Sequence, residues 1–448
     1  MGSVRIAVIG GGAAGLSAAW LLREQGASVT LYEKSEHAGG LLSTAKLGDA
    51  RVDTAVQLVS STYTRLFALA EAAGAGDALL RSSGLDALWR KGSAQEITYG
   101  NASSMALTGA LPTMLKLKLA TKYVPFLTLQ LGSLDVNDLA STGGAAYDSE
   151  SIARWGEREI GDDFVEYLAY PLLAAYYGSP PEVTSAALYH GLARVGMDVE
   201  LYAARGGMGG LASRLADGLA RAGVEMRLGS TVTRVSPAES GAWDVHTTTN
   251  RESYDGVVVA TPPGAAHVLL QSVEPLASWL SLAETRPAAT VGVLLEGTLR
   301  APYFGMSFPR HQAPGDRIVA ITLQQNKPGN LVPKGMSALT IFPAPTVVDR
   351  VAAMSNEEAL SFLAPSLEQV IPSLLKRVKA SAVYSGDARY RSLAPGLVRR
   401  IQELREMQLP RGLSLAGDYT MAPTVEGAVC SGEAAARVLI KSVVSGTA

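Results

Sequence analysis

The chain has 448 residues, 47% of them hydrophobic and 18% charged, with a formal net charge of -2. That composition excludes disorder, supplies apolar material for a sizeable core, and at this length suggests two or three domains. The near balance of charge leaves no field directed at nucleic acid. A single cysteine, Cys430, excludes an internal disulfide and a thiolate metal cluster, and fits a reducing, cytoplasmic setting. The histidines (His37, His190, His246, His267, His311) lie far apart without metal-ligand spacing, so no metal is expected. No apolar run reaches the roughly 18 residues that a spanning helix needs.

Residues 4–9 predict a buried strand, short, apolar and stopped by glycine. Residues 13–25 have helical periodicity with Gly26 at the end, and 28–33 predict a second strand, so the chain opens on a β-α-β unit. At its first turn stands Gly10-Gly11-Gly12-Ala13-Ala14-Gly15, a G-x-G-x-x-G run after a strand and at the start of a helix, with Glu33 ending the next strand. Gly10 permits the tight turn, Gly12 lets a pyrophosphate approach the backbone, and Gly15 lets the helix pack close to the sheet. The helix N-terminus favours the anion. A carboxylate at Glu33 accepts hydrogen bonds from ribose hydroxyls and repels a 2′-phosphate.

Residues 76–204 read as mostly helical and rich in Leu, Ala and Tyr. Within them, 105–131 is strongly apolar with Lys116, Lys118 and Lys122 interspersed. It either touches a membrane surface or roofs an apolar cavity; Pro112 and Pro125 break it into short pieces and favour the cavity. Arg154, Trp155, Glu157 and Arg158 form a charged helix start, a better match to surface pairs than to carboxylate recognition. Tyr167, Tyr170, Tyr176 and Tyr177 suit a pocket wall or ordinary helix packing. Gly207 to Ala212 loosely repeats the dinucleotide pattern without a clear strand before it, and reads as a turn feeding a helix over 211–222.

Strands follow at 224–228 and 231–235, then a pair at 243–248 and 254–260 around a turn at Asn250, stopped by Thr261-Pro262-Pro263. Residues 267–394 mix strands (290–295, 317–323, 337–342) with a helix after Ser355. Phe304, Met306 and Phe308 either face the cofactor or belong to a core. Tyr390, Arg391 and Pro395 lie where this segment returns to the dinucleotide domain. A strand at 413–416 leads into Gly417-Asp418, and 429–442 reads as a closing helix. The fold class is α/β: a Rossmann-type dinucleotide domain (1–75, 205–266, 395–448) interrupted by two insertions (76–204, 267–394) that build a discontinuous second α+β substrate domain.

Several segments together resemble the FAD-dependent amine oxidase superfamily, within it the protoporphyrinogen oxidase and carotenoid (phytoene) desaturase branches. They are the opening glycine run, Glu33-Lys34 with Gly39-Gly40, Val52-Asp53-Thr54, 171–185, Gly206-Gly207-Met208, the run from Tyr254 to Pro262, and Leu415 to Tyr419 with Glu426-Gly427-Ala428 and Ser431-Gly432-Glu433. The resemblance implies non-covalent FAD, with Cys430 outside any covalent flavin context. It places the pyrophosphate at Gly10, Gly12, Ala13, Ala14 and Gly15, and the adenosine ribose at Glu33 beside Lys34. Gly39, Gly40 and Leu41 fall near the ribityl and flavin, Val232 at the adenine, and Ala260, Thr261 and Pro262 on the adenosine side. Gly417 and Asp418 fall at the ribityl chain or pyrophosphate. Val425, Gly427 and Ala428 fall beside the flavin, at the N-terminus of the closing helix. The chain departs from the family at His37, where Arg is frequent, and at Leu41, where Arg or Lys is frequent.

No nucleophile elbow, triad or paired-carboxylate signature appears, and no catalytic side chain is assigned. The implied activity is removal of hydride from a large apolar conjugated substrate, with electrons passing to oxygen or a quinone. The 171–180 segment looks like the porphyrinogen-oxidase version of the helical insertion and favours a porphyrinogen, ahead of a carotenoid-type polyene and then an amine. A flavin-dependent isomerase without net redox change and a catalytically silent partner protein are the readings from other classes. Peripheral membrane contact is compatible with the apolar 105–131 segment.

Overall fold

The computed structural model describes residues 3–197, 199–283, 285–312, 314–385 and 389–444. The opening unit forms as its pattern dictates: strand Arg5–Ile9, helix Ala13–Glu24, strand Ser28–Tyr32. These strands lie in a five-stranded parallel sheet in the order Glu225–Arg227, Ser28–Tyr32, Arg5–Ile9, Gly256–Val259, Leu413–Leu415. Burial on both faces explains the unbroken apolar run. Ile6 and Val8 join a core containing the helices Ala13–Glu24 and Val425–Leu439, while Ala7 and Ile9 join one containing Leu269, Leu276 and Leu280.

The first and last helices touch backbone to backbone. A Cβ on Gly432 would lie 2.1 Å from the Ala14 carbonyl oxygen, and Ser17 Oγ donates to the Val429 carbonyl at 2.9 Å. The closing helix starts at Val425, earlier than the apolar run at 429–442 suggests, because Thr424 caps it: its Oγ1 accepts from Gly427 N–H at 2.8 Å.

Two expectations about strands are corrected. The partner of Trp243–Thr247 across the Asn250 turn is Arg251–Tyr254, not 254–260; Gly256–Val259 instead enters the parallel sheet beside the first strand. Asp255 separates the two and caps the first strand, its Oδ2 accepting from Arg5 N–H at 2.8 Å. The insertion read as mostly helical also contributes Leu79–Arg81, Asp86–Arg90, Ser93–Ile97 and Leu201–Ala204 as strands. Asp86–Arg90 and Ser93–Ile97 complete a seven-stranded sheet with Gly305–Ser307, Ile318–Leu323, Met336–Pro343, Thr290–Glu296 and Val378–Tyr384. Helices from 102–195 lie over the far side of the cavity described below.

The glycine-rich turn before helix Met208–Arg221 follows the strand Leu201–Ala204, and its helix N-terminus is occupied by protein. Asp53 Oδ1 accepts from Met208 N–H at 2.8 Å, and Thr44 Oγ1 accepts from Gly209 N–H at 2.8 Å. The other Asp53 oxygen pairs with Lys327 Nζ, and both side chains are fully buried. Burial pushes the Lys327 pKa down, against the pull of Asp53. Breaking a buried pair strands the remaining charge. Lys327→Met is therefore expected to lower unfolding stability by about 3–5 kcal/mol, read by urea denaturation, with Asp53→Asn in the same chain restoring part of it.

Candidate active site

The C-terminal ends of the parallel strands open into one cavity of about 2150 Å³ that continues under the second sheet and the helical insertion. Its dinucleotide end is shaped by absent side chains. A Cβ on Gly10 would lie 2.5 Å from the Ala260 carbonyl oxygen, and one on Gly15 would lie 1.8 Å from that of Gly10. Both glycines hold the turn against its neighbours. A Cβ on Gly12 meets no protein atom within 4 Å, and Gly12 lines the cavity. The three glycines thus divide their work: two allow the turn to close, and one leaves room for what binds beside it.

Gly10, Gly12, Ala13, Ala14, Glu33, Lys34, Gly39, Gly40, Leu41, Val232, Ala260, Thr261, Pro262, Gly417, Asp418, Val425 and Ala428 all line this cavity. Gly15 and Gly427 do not; each presses on a carbonyl instead, with a Gly427 Cβ falling 2.4 Å from the Ala422 oxygen. Glu33 is fixed by its own backbone surroundings: Oε2 accepts from Gly11 N–H at 2.7 Å and Oε1 from Ser35 N–H at 2.9 Å. Gly39 N–H donates to the Gly11 carbonyl at 2.7 Å, so the double glycine lies against the first turn. At the opposite wall, Gly417 N–H donates to Ser431 Oγ at 2.8 Å. Glu426 accepts from Arg65 and Leu66 N–H at 2.8 and 3.0 Å, binding the helix Thr64–Ala72 to the closing helix.

The other end of the cavity is mainly apolar and aromatic. Leu119, Tyr123 and Leu127 come from the 105–131 segment, Tyr176 and Tyr177 from helix Tyr170–Tyr177, and Tyr99, Tyr189, Phe304 and Leu393 from elsewhere in the insertions. The roofing expectation for 105–131 therefore holds for its inner face, while Leu107, Met114, Leu117 and Leu129 are exposed outside. Burial pushes the phenols of Tyr99, Tyr123, Tyr176, Tyr177 and Tyr189 upwards, so they stay neutral near pH 7.

Other expected pocket residues serve packing. Tyr167 lies under Arg90 and Tyr170 under Arg310. Met306 and Phe308 are core residues of the second sheet. Trp155 packs edge-on to His190, and Arg158 makes paired bonds to Glu150 at 2.7 and 2.8 Å. Arg389–Arg391 is a strand paired with Thr285–Pro287, but the side chains of Tyr390 and Arg391 lie outside the described residues, and Pro395 does not line the cavity. Burial, with Glu426 and Glu433 nearby, pushes the Cys430 thiol up to about 12.

Among the charged side chains on the cavity wall that the sequence analysis did not single out (Arg65, Asp86, Asp135 and Arg194), two stand out. Asp86 is buried, and burial raises its pKa to about 7 against one backbone N–H from Ala87. Arg194 donates to the Gly132 carbonyl at 3.4 Å, while its buried Nε has no hydrogen-bond partner. The signal for Asp86 was a lone acid within the apolar strand Leu85-Asp86-Ala87-Leu88-Trp89. Arg194, on an amphipathic helix end, gave none.

A model of the flavin-containing amine oxidoreductase family matches residues 13–440. The chain belongs to that family. FAD is its cofactor and it is an FAD-dependent oxidoreductase. No curated protein matches it by sequence. Among solved structures, it is similar to a protein of Exiguobacterium sp. 255-15 named "Putative protoporphyrinogen oxidase" (22% identity, 98% of each chain, TM-score 0.74). It is also similar to cyclohexylamine oxidase from Brevibacterium oxydans IH-35A (19% identity, 98% and 99% of the two chains, TM-score 0.73). A putrescine oxidase bound to putrescine matches at 18% identity over 98% and 99%, with a TM-score of 0.74. These likenesses establish the fold. Among the described residues, no helix is long and apolar enough to cross a membrane.

The cavity fits the dinucleotide. Besides the open space at Gly12, two buried hydroxyls on its wall, Thr261 Oγ1 and Tyr419 Oη, have no protein partner. The glycines give a sharp contrast. Gly12→Val is expected to fold and to purify with less than about a tenth of the wild-type flavin, since the added methyls enter the space required by the pyrophosphate. Gly15→Val is expected to fail earlier, as loss of soluble folded protein. Absorbance ratios on purified material distinguish the two.

Proposed function

We propose that this oxidoreductase removes hydride from a large, mainly apolar conjugated substrate, and that a porphyrinogen is the class it takes. The observation carrying this reading is the cavity itself. About 2150 Å³ exceeds the roughly 300–1,000 Å³ of an ordinary small-molecule site, which leaves room for a second large molecule beside the dinucleotide. The end proposed for substrate is walled largely by aromatic and aliphatic side chains, and Arg194, which also lines the cavity, makes one long bond to the Gly132 carbonyl. A guanidinium pairs well with carboxylates, which a porphyrinogen carries and a polyene lacks.

In this reading, Gly12 and the N-terminus of helix Ala13–Glu24 hold the FAD pyrophosphate, Glu33 the adenosine ribose, and Val232 the adenine. Gly39, Gly40 and Leu41 would lie near the ribityl and flavin, Val425 and Ala428 beside the flavin, and Asp418 at the ribityl chain or pyrophosphate. When bound, FAD supplies the hydride-accepting chemistry. The protein would orient the substrate and keep water from the reacting carbon, and the N-terminus of helix Val425–Leu439 would stabilise negative charge on the reduced flavin. Oxygen or a quinone takes the electrons onward.

Anaerobic titration of the flavin-loaded protein with protoporphyrinogen IX tests the reading. Stoichiometric loss of the oxidised-flavin absorbance is expected, with its return in air as net oxidation proceeds. No loss of absorbance overturns the substrate class, and reduction without net oxidation in air turns the reading to isomerisation. Arg194→Met is expected to raise KM for protoporphyrinogen IX about tenfold, as for loss of a charged hydrogen bond. Its flavin content and kcat should stay near wild type, measured by steady-state oxygen consumption.

A further inference from the structure

Asp86 begins the strand Asp86–Arg90, and in the seven-stranded sheet it stands between Gly305 on one side and Ile97 on the other. Its side chain reaches the cavity wall beside Tyr99, Tyr176, Phe304 and Ser307. Oδ1 accepts the Ala87 N–H at 2.8 Å, and no cation pairs with the carboxylate among the described residues. Space is kept for it: a Cβ on Gly305 would come within 3.0 Å of Oδ1. A buried carboxylate is normally paired or richly hydrogen-bonded, because leaving it otherwise is costly. Asp148, equally enclosed, accepts from Ser185 Oγ and from the Val398 and Arg399 N–H groups. Asp86 has one backbone donor and a free side toward the cavity.

We infer that Asp86 is a substrate-anchoring, specificity-determining residue that accepts hydrogen bonds from N–H groups of a nitrogen-bearing substrate. This deepens the porphyrinogen reading and rests on it, since pyrrole N–H groups are such donors. A protonated amine offers the same chemistry; a polyene has none to offer. The titratable groups facing Asp86 are the phenols of Tyr99, Tyr176 and Tyr303, all shifted upward and neutral where the carboxyl titrates. The anionic acceptor therefore forms as pH rises through about 7.

The test compares wild type, Asp86→Asn and Asp86→Leu as flavin-loaded proteins, using protoporphyrinogen IX, cyclohexylamine and phytoene as reductants. With a nitrogen-bearing reductant, Asp86→Leu is expected to raise KM about tenfold or more while retaining wild-type flavin content. Wild-type kcat/KM is expected to rise through about pH 7, and Asp86→Asn to flatten that rise. Unchanged KM and an unchanged profile in both variants overturn the role of Asp86 and leave the porphyrinogen reading standing. Reduction by cyclohexylamine but not protoporphyrinogen IX overturns that reading alone, and Asp86 is then judged by the same criteria on the amine. Reduction by phytoene alone, or by none of the three, overturns both. If Asp86→Leu fails to fold, the Asp86→Asn profile decides: a retained pH rise overturns the inference.

Discussion

The Asp53 carboxylate holds together segments that the rest of the structure needs in register. One oxygen accepts from Thr44 Oγ1 and from the N-terminal N–H of helix Met208–Arg221; the other takes Lys327. Its backbone carbonyl accepts from Gln57 Nε2 at 2.8 Å and Thr340 Oγ1 at 2.9 Å. Gln57 in turn accepts from Thr322 and Gln324, so residues from the second sheet and from the wall of the cavity meet at one buried site. Such a network is favourable only when complete, since each orphaned member costs its full desolvation. The segment at Asp53, the helix Met208–Arg221 and the second sheet are therefore joined by a polar network and not by apolar packing alone. It also explains why the glycine run at Gly206-Gly207 needs no nucleotide: an internal carboxylate already occupies its helix N-terminus.

Electrostatics divide the cavity. At the dinucleotide end, backbone N–H groups, a helix N-terminus and the fixed Glu33 carboxylate provide many modest polar contacts. Towards Tyr99, Tyr176 and Tyr177 the phenols are neutral and much of the wall is apolar, with Asp86 and Arg194 among its few charged side chains. Interactions with sparse charges in low dielectric are strong and selective. An apolar wall alone accepts any flat hydrophobic molecule. An acceptor and a cation on that wall would, in the proposed reading, favour a ligand that carries both N–H groups and carboxylates, which is a narrower demand than size or flatness.

What could be read from sequence was what local geometry dictates. The G-x-G-x-x-G run fixes a turn because Gly10 and Gly15 have no room for a Cβ, and that constraint is local enough to leave a spaced motif. Gly432 is equally tight against Ala14, but its partner is at the other end of the chain, and only the resemblance marked it. The strand Asp86–Arg90 forms a tight hairpin with Ser93–Ile97 across Lys91-Gly92, a local signal passed over when 76–204 is read as helical, whereas its parallel pairing with Gly305–Ser307 joins distant segments that leave no such pattern. The change of sheet at Asp255 was marked by the turn pair Asp255-Gly256, which reading 254–260 as one strand ran through. The pairing of Asp53 with Lys327 spans most of the chain, and one sequence carries no record of which acid meets which base.

The 105–131 segment shows why its lysines gave an ambiguous signal. In a membrane-facing reading they would be free for anionic headgroups. In the structure Lys116 Nζ donates to the Ala106 and Thr108 carbonyls, Lys118 Nζ to that of Ile160, and Lys122 Nζ to that of Glu159 at 3.4 Å. Each ammonium satisfies carbonyls where a neighbouring helix ends, which is where a cation is favourable. These bonds fasten the segment to the ends of Ala102–Leu107 and Ile152–Glu159. Pro125 cannot donate to the turn before it, and wide five-residue turns flank it at Leu119–Tyr123 and Phe126–Gln130. Tyr123 and Leu127 are thereby aimed into the cavity from a helix whose charges are already spent on holding it in place. The lysines thus tie this apolar segment to the neighbouring helix ends while its inner face, with Leu119, Tyr123 and Leu127, lines the cavity.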